Sequence, residues 1–232
     1  MNKETLKKEL QNIGLNLEEK QLDNLELFMH ETLEANKSFN LTAIKEEEKF
    51  RELMILDSAY PLKYFNFEGK KVIDVGTGAG YPGMVMAMLS NGQFDLLDST
   101  AKKVKFTSNF ALKNQINNVN CVCARAEEHA KSHREMYDFA VARAVADLSI
   151  LLEMIVPMLK VNGYFVALKG SKGLEELENA KEALDKLGAQ VEKTDEYELP
   201  ESKEKRINII IKKIKRTPTK YPREYKDIVK GI

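Results

Sequence analysis

The chain has no apolar run approaching the ~20 residues that a membrane-spanning helix requires. Its first ten residues, Met1 to Leu10, are studded with Lys and Glu and hold no leader-like apolar stretch. Together these two absences predict a soluble, cytoplasmic protein. Cysteine is nearly missing as well. Cys121 and Cys123 stand one residue apart on a segment that reads as a strand. Sharing a face, they are badly placed to bond each other, so a disulfide scaffold is excluded and buried, reduced thiols are expected. The three histidines, His30, His129 and His133, fall away from the strand ends where a general base would sit. They are read as surface residues, and no metal site is expected. There are no repeats, low-complexity tracts or disordered linkers.

Net charge is also absent, with 36 basic and 36 acidic side chains. The balance hides an uneven distribution, because Lys203 to Ile232 carries a formal +8 and the 202 residues before it carry −8. A basic segment on an acidic body suits phosphate binding, with Arg206, Lys213 and Arg223 among the cations expected to serve it. The alternative is an edge strand with solubilising lysines on its outer face.

What is present is a chain long enough for one α/β domain and an extension. Leu22, Leu25, Phe28, Met29 and Leu33 recur at helical spacing, and a second helix is expected from Glu46 to about Ala59, with Pro61 after its end. Residues 1–66 are therefore read as a helical cap, 67–216 as the main domain and 217–232 as a basic tail. From Lys70 the pattern alternates, predicting strands at 71–75, 94–97, 119–123, 139–142 and 164–168. Helices are expected at 82–89, 101–114, 148–159 and 174–187, with a short turn near Glu127. Runs near 191–199 and 207–214 follow each other without a helix and predict an antiparallel hairpin. Five parallel strands followed by a hairpin is the layout of class I methyltransferases, an α/β, Rossmann-like, mostly parallel seven-stranded sheet.

The segment Val72-Ile-Asp-Val-Gly-Thr-Gly-Ala-Gly-Tyr-Pro-Gly83 carries the ligand signal. Gly76, Gly78 and Gly80 remove the Cβ atoms that would keep backbone amides away from a nucleotide. The same segment satisfies the dinucleotide G-x-G-x-x-G pattern, and Asp98 lies twenty residues after Gly78, the spacing of a ribose-binding acid. Both tests fit NAD as well as S-adenosylmethionine. Asp74, inside the strand, favours a ligand bearing an ammonium group over a pyrophosphate.

In such a sheet the residues just after each strand face the ligand. After the second strand come Asp98 and Ser99; Asp98 is placed to accept ribose hydroxyls at ~1.5 to 3 kcal/mol each. Ala126 and Glu127, after the third, suit an adenine amino group. Arg143, after the fourth, balances a carboxylate or holds phosphate, and Lys169, after the fifth, is expected at the rim. No Asn/Asp-Pro-Pro-Tyr/Phe loop for exocyclic amines follows the fourth strand, and the cysteines lie where no pyrimidine-attacking thiolate is expected. A ring nitrogen with its own lone pair needs neither, and no catalytic base is assigned.

Asn40-Leu-Thr-Ala-Ile44, Asp74 to Gly83, Leu96-Leu-Asp-Ser99, Arg125-Ala-Glu127, Tyr137 to Ala146 and Ala167-Leu-Lys-Gly170 together resemble the bacterial RsmG (GidB) family. The likeness runs from about Asn40 to Arg223. It implies methylation of N7 of one guanine in 16S ribosomal RNA, free or in the 30S particle, by a monomer using S-adenosylmethionine. It also implies donor contacts at Gly76, Tyr81, Ala126, Glu127 and Arg143. The family usually has Phe at the position of Tyr81, and its final Gly-Thr-Pro and Pro-Leu/Ile are replaced here by Glu224 to Ile232. A small-molecule methyltransferase, a non-catalytic RNA-binding assembly factor and an NAD oxidoreductase are the competing readings.

Overall fold

A computed structural model describes residues 1–232. Helix α1 (Lys3–Asn12) starts where the Asn2 side chain accepts from the Thr5 amide, and α2 (Glu19–Asn36) starts with a Glu18/Gln21 capping box. Their apolar stripes, including Leu6, Leu10, Leu22, Leu25 and Phe28, are fully buried. The helix expected over 46–59 is longer and less regular than its pattern suggests. It begins as α3 (Glu47–Phe50), widens into a π-helical turn (Arg51–Leu56), returns to α4 (Asp57–Ala59) and tightens into a 3₁₀ turn (Tyr60–Lys63) that includes Pro61. Such a turn leaves carbonyls without their usual partners, and the carbonyl of Leu53 accepts from Arg143 Nη1 at 2.9 Å.

The chain then alternates: β1 (Lys71–Val75), α5 (Gly83–Leu89), β2 (Gln93–Asp98), α6 (Ala101–Lys113), β3 (Val119–Cys123), α7 (Ala126–Ser132), β4 (Tyr137–Arg143), α8 (Leu148–Ile155) and β5 (Leu159–Lys169). After β5 come α9 (Gly173–Asn179), α10 (Lys181–Leu187), β6 (Ala189–Glu198), β7 (Lys205–Lys213) and α11 (Tyr225–Ile228). The strand order is β3-β2-β1-β4-β5-β7-β6, parallel throughout except for β7, which is antiparallel to both neighbours. All seven expected strands are present, with β5 five residues longer at its start. The single helix expected over 174–187 is two helices, broken at Ala180. At the outer edge, β6 carries a register irregularity between Val191 and Lys193.

Two cores sandwich the sheet. On one face Val72, Phe94, Phe139, Val141, Val166 and Ile210 meet the N-terminal helices, so residues 1–66 share one apolar core with the strands. On the other, Ile73, Ala140, Phe165 and Ile209 meet α8 and α10, joined by Tyr221 and Ile228 from the C-terminal segment. Cys121 is half-buried and Cys123 exposed, contrary to the expectation of buried thiols, because β3 is an edge strand.

Phe28 lies where α2 meets the loop after β1. Its ring stacks on Tyr81 at 4.7 Å and packs against Phe110 at 4.5 Å. Phe28→Ala is expected to lower stability by ~3 to 5 kcal/mol in urea unfolding. Leu112→Ala, at a position 82% exposed, should change it by under ~0.5 kcal/mol. Equal effects at the two sites would mean that α2 does not share the sheet's core.

Candidate functional site

Strands on either side of β1 and β4 are laid down in opposite directions, which makes the carboxyl ends of these two strands the switch point where open α/β sheets hold ligands. The loop leaving β1 is held there by two carboxylates. Asp74 Oδ2 accepts from Thr77 Oγ1 at 2.6 Å and from the Gly83 amide at 2.7 Å, tying the loop's start to the helix that follows. Asp98 Oδ2 accepts from the Gly78 amide at 3.0 Å and Oδ1 from the Thr100 amide at 2.8 Å. Gly76 and Gly78 both have left-handed φ, +73° and +59°. A Cβ on Gly76 would lie 2.4 Å from Val145 Cγ2, whereas one on Gly78 would project into open space. The backbone is therefore bare at Gly78, the condition for a close approach by a ligand, while at Gly76 the missing Cβ makes room for Val145.

Two cavities adjoin at this loop. The smaller, about 320 Å³, is lined by Leu97, Asp98, Ser99, Ala124, Arg125, Ala126, Glu127 and Met154 among others. The larger, about 910 Å³, lies between the β1, β4 and β5 ends and the cap, where Leu41, Ile44, Leu53, Met54 and Asp57 face Arg143 and Lys169. Gly76, Lys103 and Ala144 to Ala146 belong to both walls. Both cavities combine apolar and charged walls, the smaller with Asp98, Lys103, Arg125 and Glu127, the larger with Asp57, Arg143, Asp147 and Lys169 among others.

Of the residues expected to hold a cofactor, Asp98, Ser99, Ala126 and Glu127 come together in the smaller cavity, and Gly78, Tyr81 and Arg143 in the larger, with Gly76 between. Gly80 lines neither. A Cβ there would meet Phe28 Cζ at 2.9 Å and Thr107 Cγ2 at 3.2 Å, so Gly80 permits close packing against α2 and α6. Tyr81 is buried, its hydroxyl 3.2 Å from Thr32 Oγ1, and burial raises its pKa. Arg143 bonds the Leu53 carbonyl and lies 3.6 Å from Asp57 Oδ2.

Asp74, read as an acceptor for a ligand's ammonium, has 0% exposure; its Oδ2 turns toward its own loop, and its Oδ1 is buried without a hydrogen-bond partner. Burial pushes its pKa up to about 6, against the help of Thr77 and Gly83. Lys169, expected at the rim, is buried, with Nζ donating to the Ala146 carbonyl at 2.7 Å and paired with Glu176 at 2.6 Å. His129, expected at the surface, is buried; its Nε2 lies 3.0 Å from the Tyr137 hydroxyl and its ring stacks on His133. The basic segment is partly neutralised from within. Lys213 has 0% exposure and donates to the Leu159 carbonyl, and burial lowers its pKa to about 8. Arg223 binds buried Glu153, while Arg206 pairs with Asp57 and Glu204.

Other residues of the site escape sequence reasoning. Asp147 lines the larger cavity and, unlike Asp57, Glu176 and Glu204 there, forms no ion pair. Lys103 borders both cavities, and Lys102 and Lys105 flank it in the first turns of α6. The Ala-Lys-Lys-Val-Lys opening was the available signal, because lysines at a helix N-terminus work against its dipole.

A family model described as rRNA small subunit methyltransferase G (GidB) matches residues 21–211. The Ribosomal RNA small subunit methyltransferase G of Alkaliphilus metalliredigens is 41% identical over 224 residues, 94% of this chain and 93% of that protein. The protein of the same name from Lactobacillus acidophilus is 39% identical over 230 residues, 97% and 96% of the two chains. In fold, the chain is similar to M. jannaschii TYW2 solved in complex with AdoMet, with a TM-score of 0.57 at 15% identity over 69% of this chain and 76% of that one. The ribosomal protein L11 methylase of Lactobacillus delbrueckii subsp. bulgaricus gives 0.55 at 16%, covering 70% and 79%.

Asp74 has a pH signature. A carboxyl whose folded pKa is raised to about 6 from 3.8 binds its proton more tightly when folded, so its stabilising contribution is complete below the unfolded value and lost as pH rises through about 6. Urea unfolding should show wild-type stability losing up to ~3 kcal/mol from this group between pH 4 and pH 7, and Asp74→Asn should flatten that loss. A parallel pH dependence in the two proteins would assign the loss to other groups.

Proposed function

Because the chain belongs to the rRNA small subunit methyltransferase G family, we propose that it methylates N7 of one guanine of 16S ribosomal RNA, with S-adenosylmethionine as methyl donor. The observation that carries this reading is the pair of cavities meeting at Gly76 on the switch point of a class I methyltransferase sheet. The adenosine end of the donor has the smaller chamber, and the larger, which touches it, receives the rest of the donor and the acceptor. Residues 1–66 act as the cap over the larger one, 67–216 as the methyl-transfer domain and 217–232 as a basic extension.

The smaller cavity suits the adenosine portion. Asp98 keeps lone pairs beyond those given to Gly78 and Thr100 and accepts the ribose hydroxyls, while Ala126 and Glu127 meet the adenine edge. Gly78 lets the backbone approach the rest of the donor, Gly76 lines both chambers, and Arg143 offers its cation to the donor's carboxylate. When bound, S-adenosylmethionine supplies an electrophilic methyl group on a sulfonium centre. Guanine N7 already has its lone pair, so no side chain has to remove a proton. The protein aligns the two reactants and offsets the positive charge that the purine ring gains, a task for the unpaired carboxylate of Asp147. Cavity carboxylates on Asp57, Glu176 and Glu204 are already neutralised by Arg143, Arg206 and Lys169.

The substrate is 16S RNA, free or within the 30S particle, bound by one copy of the chain. Lys102, Lys103 and Lys105 form no ion pair with a protein carboxylate; Lys103 lines both cavities and the other two are exposed on the same helix turns, which makes the three candidate phosphate contacts. No helix is long and apolar enough to cross a membrane.

Methyl transfer to free 16S RNA and to 30S particles, with the modified base mapped, tests the reading; turnover without RNA, or a product other than N7-methylguanine, would overturn it. Asp98→Ala is expected to weaken S-adenosylhomocysteine binding by ~1.5 to 3 kcal/mol in calorimetry while RNA affinity stays the same. The triple change Lys102→Gln, Lys103→Gln, Lys105→Gln should do the reverse, lowering RNA affinity and flattening the log–log salt slope by ~2. An unaltered slope would remove α6 from the RNA surface.

A further inference from the structure

Glu224 to Ile232, the segment outside the family resemblance, comes back to the donor cavity. Tyr225 is the only residue after Arg206 that lines either chamber, and it lines the smaller one. The residue is 42% exposed, although the surrounding segment is firmly docked. Arg223 gives its backbone amide and guanidinium to Glu153, which is fully buried in α8. Glu224 pairs with Lys131 of α7, and Ile228 is buried in the core on that side of the sheet. The Arg223 guanidinium also donates to the Gly231 carbonyl at 3.0 Å, closing the terminus on itself.

The ring is tied to the loop that follows β3. The Arg125 guanidinium lies 4.4 Å from the Tyr225 ring centroid, a cation–π distance, and Arg125 Nε donates to Glu127 Oε1 at 3.1 Å. Glu127, Arg125 and Tyr225 thus form one connected side of a cavity whose remaining walls include Val75, Leu97, Ala124, Val145 and Met154. Apolar patches from Leu97, Ala124 and Met154, a half-exposed tyrosine and polar groups on Asp98, Ser99 and Glu127 fit a planar base with polar edges. Such a base would cover apolar surface that the ring now shows to water.

We propose that Tyr225 is a binding and specificity-determining residue for the methyl donor, its ring forming the outer wall against the adenine base. The C-terminal turn is then part of the donor site, and the donor's affinity depends on the docking of the segment Glu224 to Ile232. This rests on the reading of the smaller cavity as the adenosine site.

Calorimetry on the full chain with S-adenosylhomocysteine and with 5′-methylthioadenosine, which shares only the adenosine part, tests it. Tyr225→Ala is expected to weaken both ligands at least tenfold by the same factor, and Tyr225→Phe to stay within twofold of the unsubstituted chain. In turnover, Tyr225→Ala should raise the KM for S-adenosylmethionine about tenfold and leave kcat within twofold, the pattern of lost ground-state binding. Because the ring is half-exposed, both variants should unfold at the Tm of the unsubstituted chain. Binding by Tyr225→Ala within twofold of the unsubstituted chain, or a fall in kcat with KM unmoved, would overturn the proposal and leave the donor site standing. An unsubstituted chain that binds neither ligand would overturn the donor site and the proposal with it.

Discussion

The buried carboxylate of Asp74 is the constraint on which the site is built. Its Oδ2 holds Thr77 and Gly83 together, which fixes the start and end of the glycine loop and sets α5 on its course. Taking this group out of water is costly, as its raised pKa records, and the cost is offset by order in the backbone. With the loop closed, Gly78 is in reach of Asp98, and the ends of β1 and β2 act as one rigid surface. The two chambers on either side of Gly76 follow from that geometry.

The cap depends on a second local irregularity. Opening the helix into a π turn at Arg51–Leu56 directs Arg51 to Glu26 of α2 and Glu52 to the Glu201 and Ser202 amides of the β6–β7 connection. The same turn frees the Leu53 carbonyl for Arg143. One strand-end arginine, one loop of the hairpin and two helices are thereby locked around the larger chamber. Asp57, just after the turn, lies between Arg143 and Arg206 and accepts from the Tyr197 hydroxyl at 3.0 Å.

Sequence carried the sheet well, because strand identity depends on local apolar runs and punctuation; the limits of β1 and β3 follow directly from Lys71-Val-Ile-Asp-Val75 and Val119-Asn-Cys-Val-Cys123. It also carried the acids after β2 and β3, since their distance from a strand end sets where they project. What it could not carry was direction within the interior. Asp74 is in the strand whichever way its carboxylate turns, and only the packed Gly83 amide decides that it faces the loop. Lys213 ends an isoleucine run and reads as a solvated charge, yet the Leu159 carbonyl receives it inside. His129 reads as surface because its partner Tyr137 lies on a neighbouring strand, and Tyr225 reads as tail because its contact with Arg125 arises only on docking. The π turn left no mark in an otherwise regular helical pattern.

The irregular outer edge of the sheet has a bearing on how the chain behaves among its copies. A long, flat, apolar edge strand is a template on which another chain can add its own. Here the outermost strand kinks between Val191 and Lys193 and turns Glu192, Lys193, Glu196 and Glu198 outward. A second strand laid alongside would lose register at the kink and bring charges into contact with its own. The molecule has zero formal net charge and so lacks the general repulsion that keeps many proteins apart; at the β6 edge, protection against strand addition therefore comes from this local irregularity and its charges.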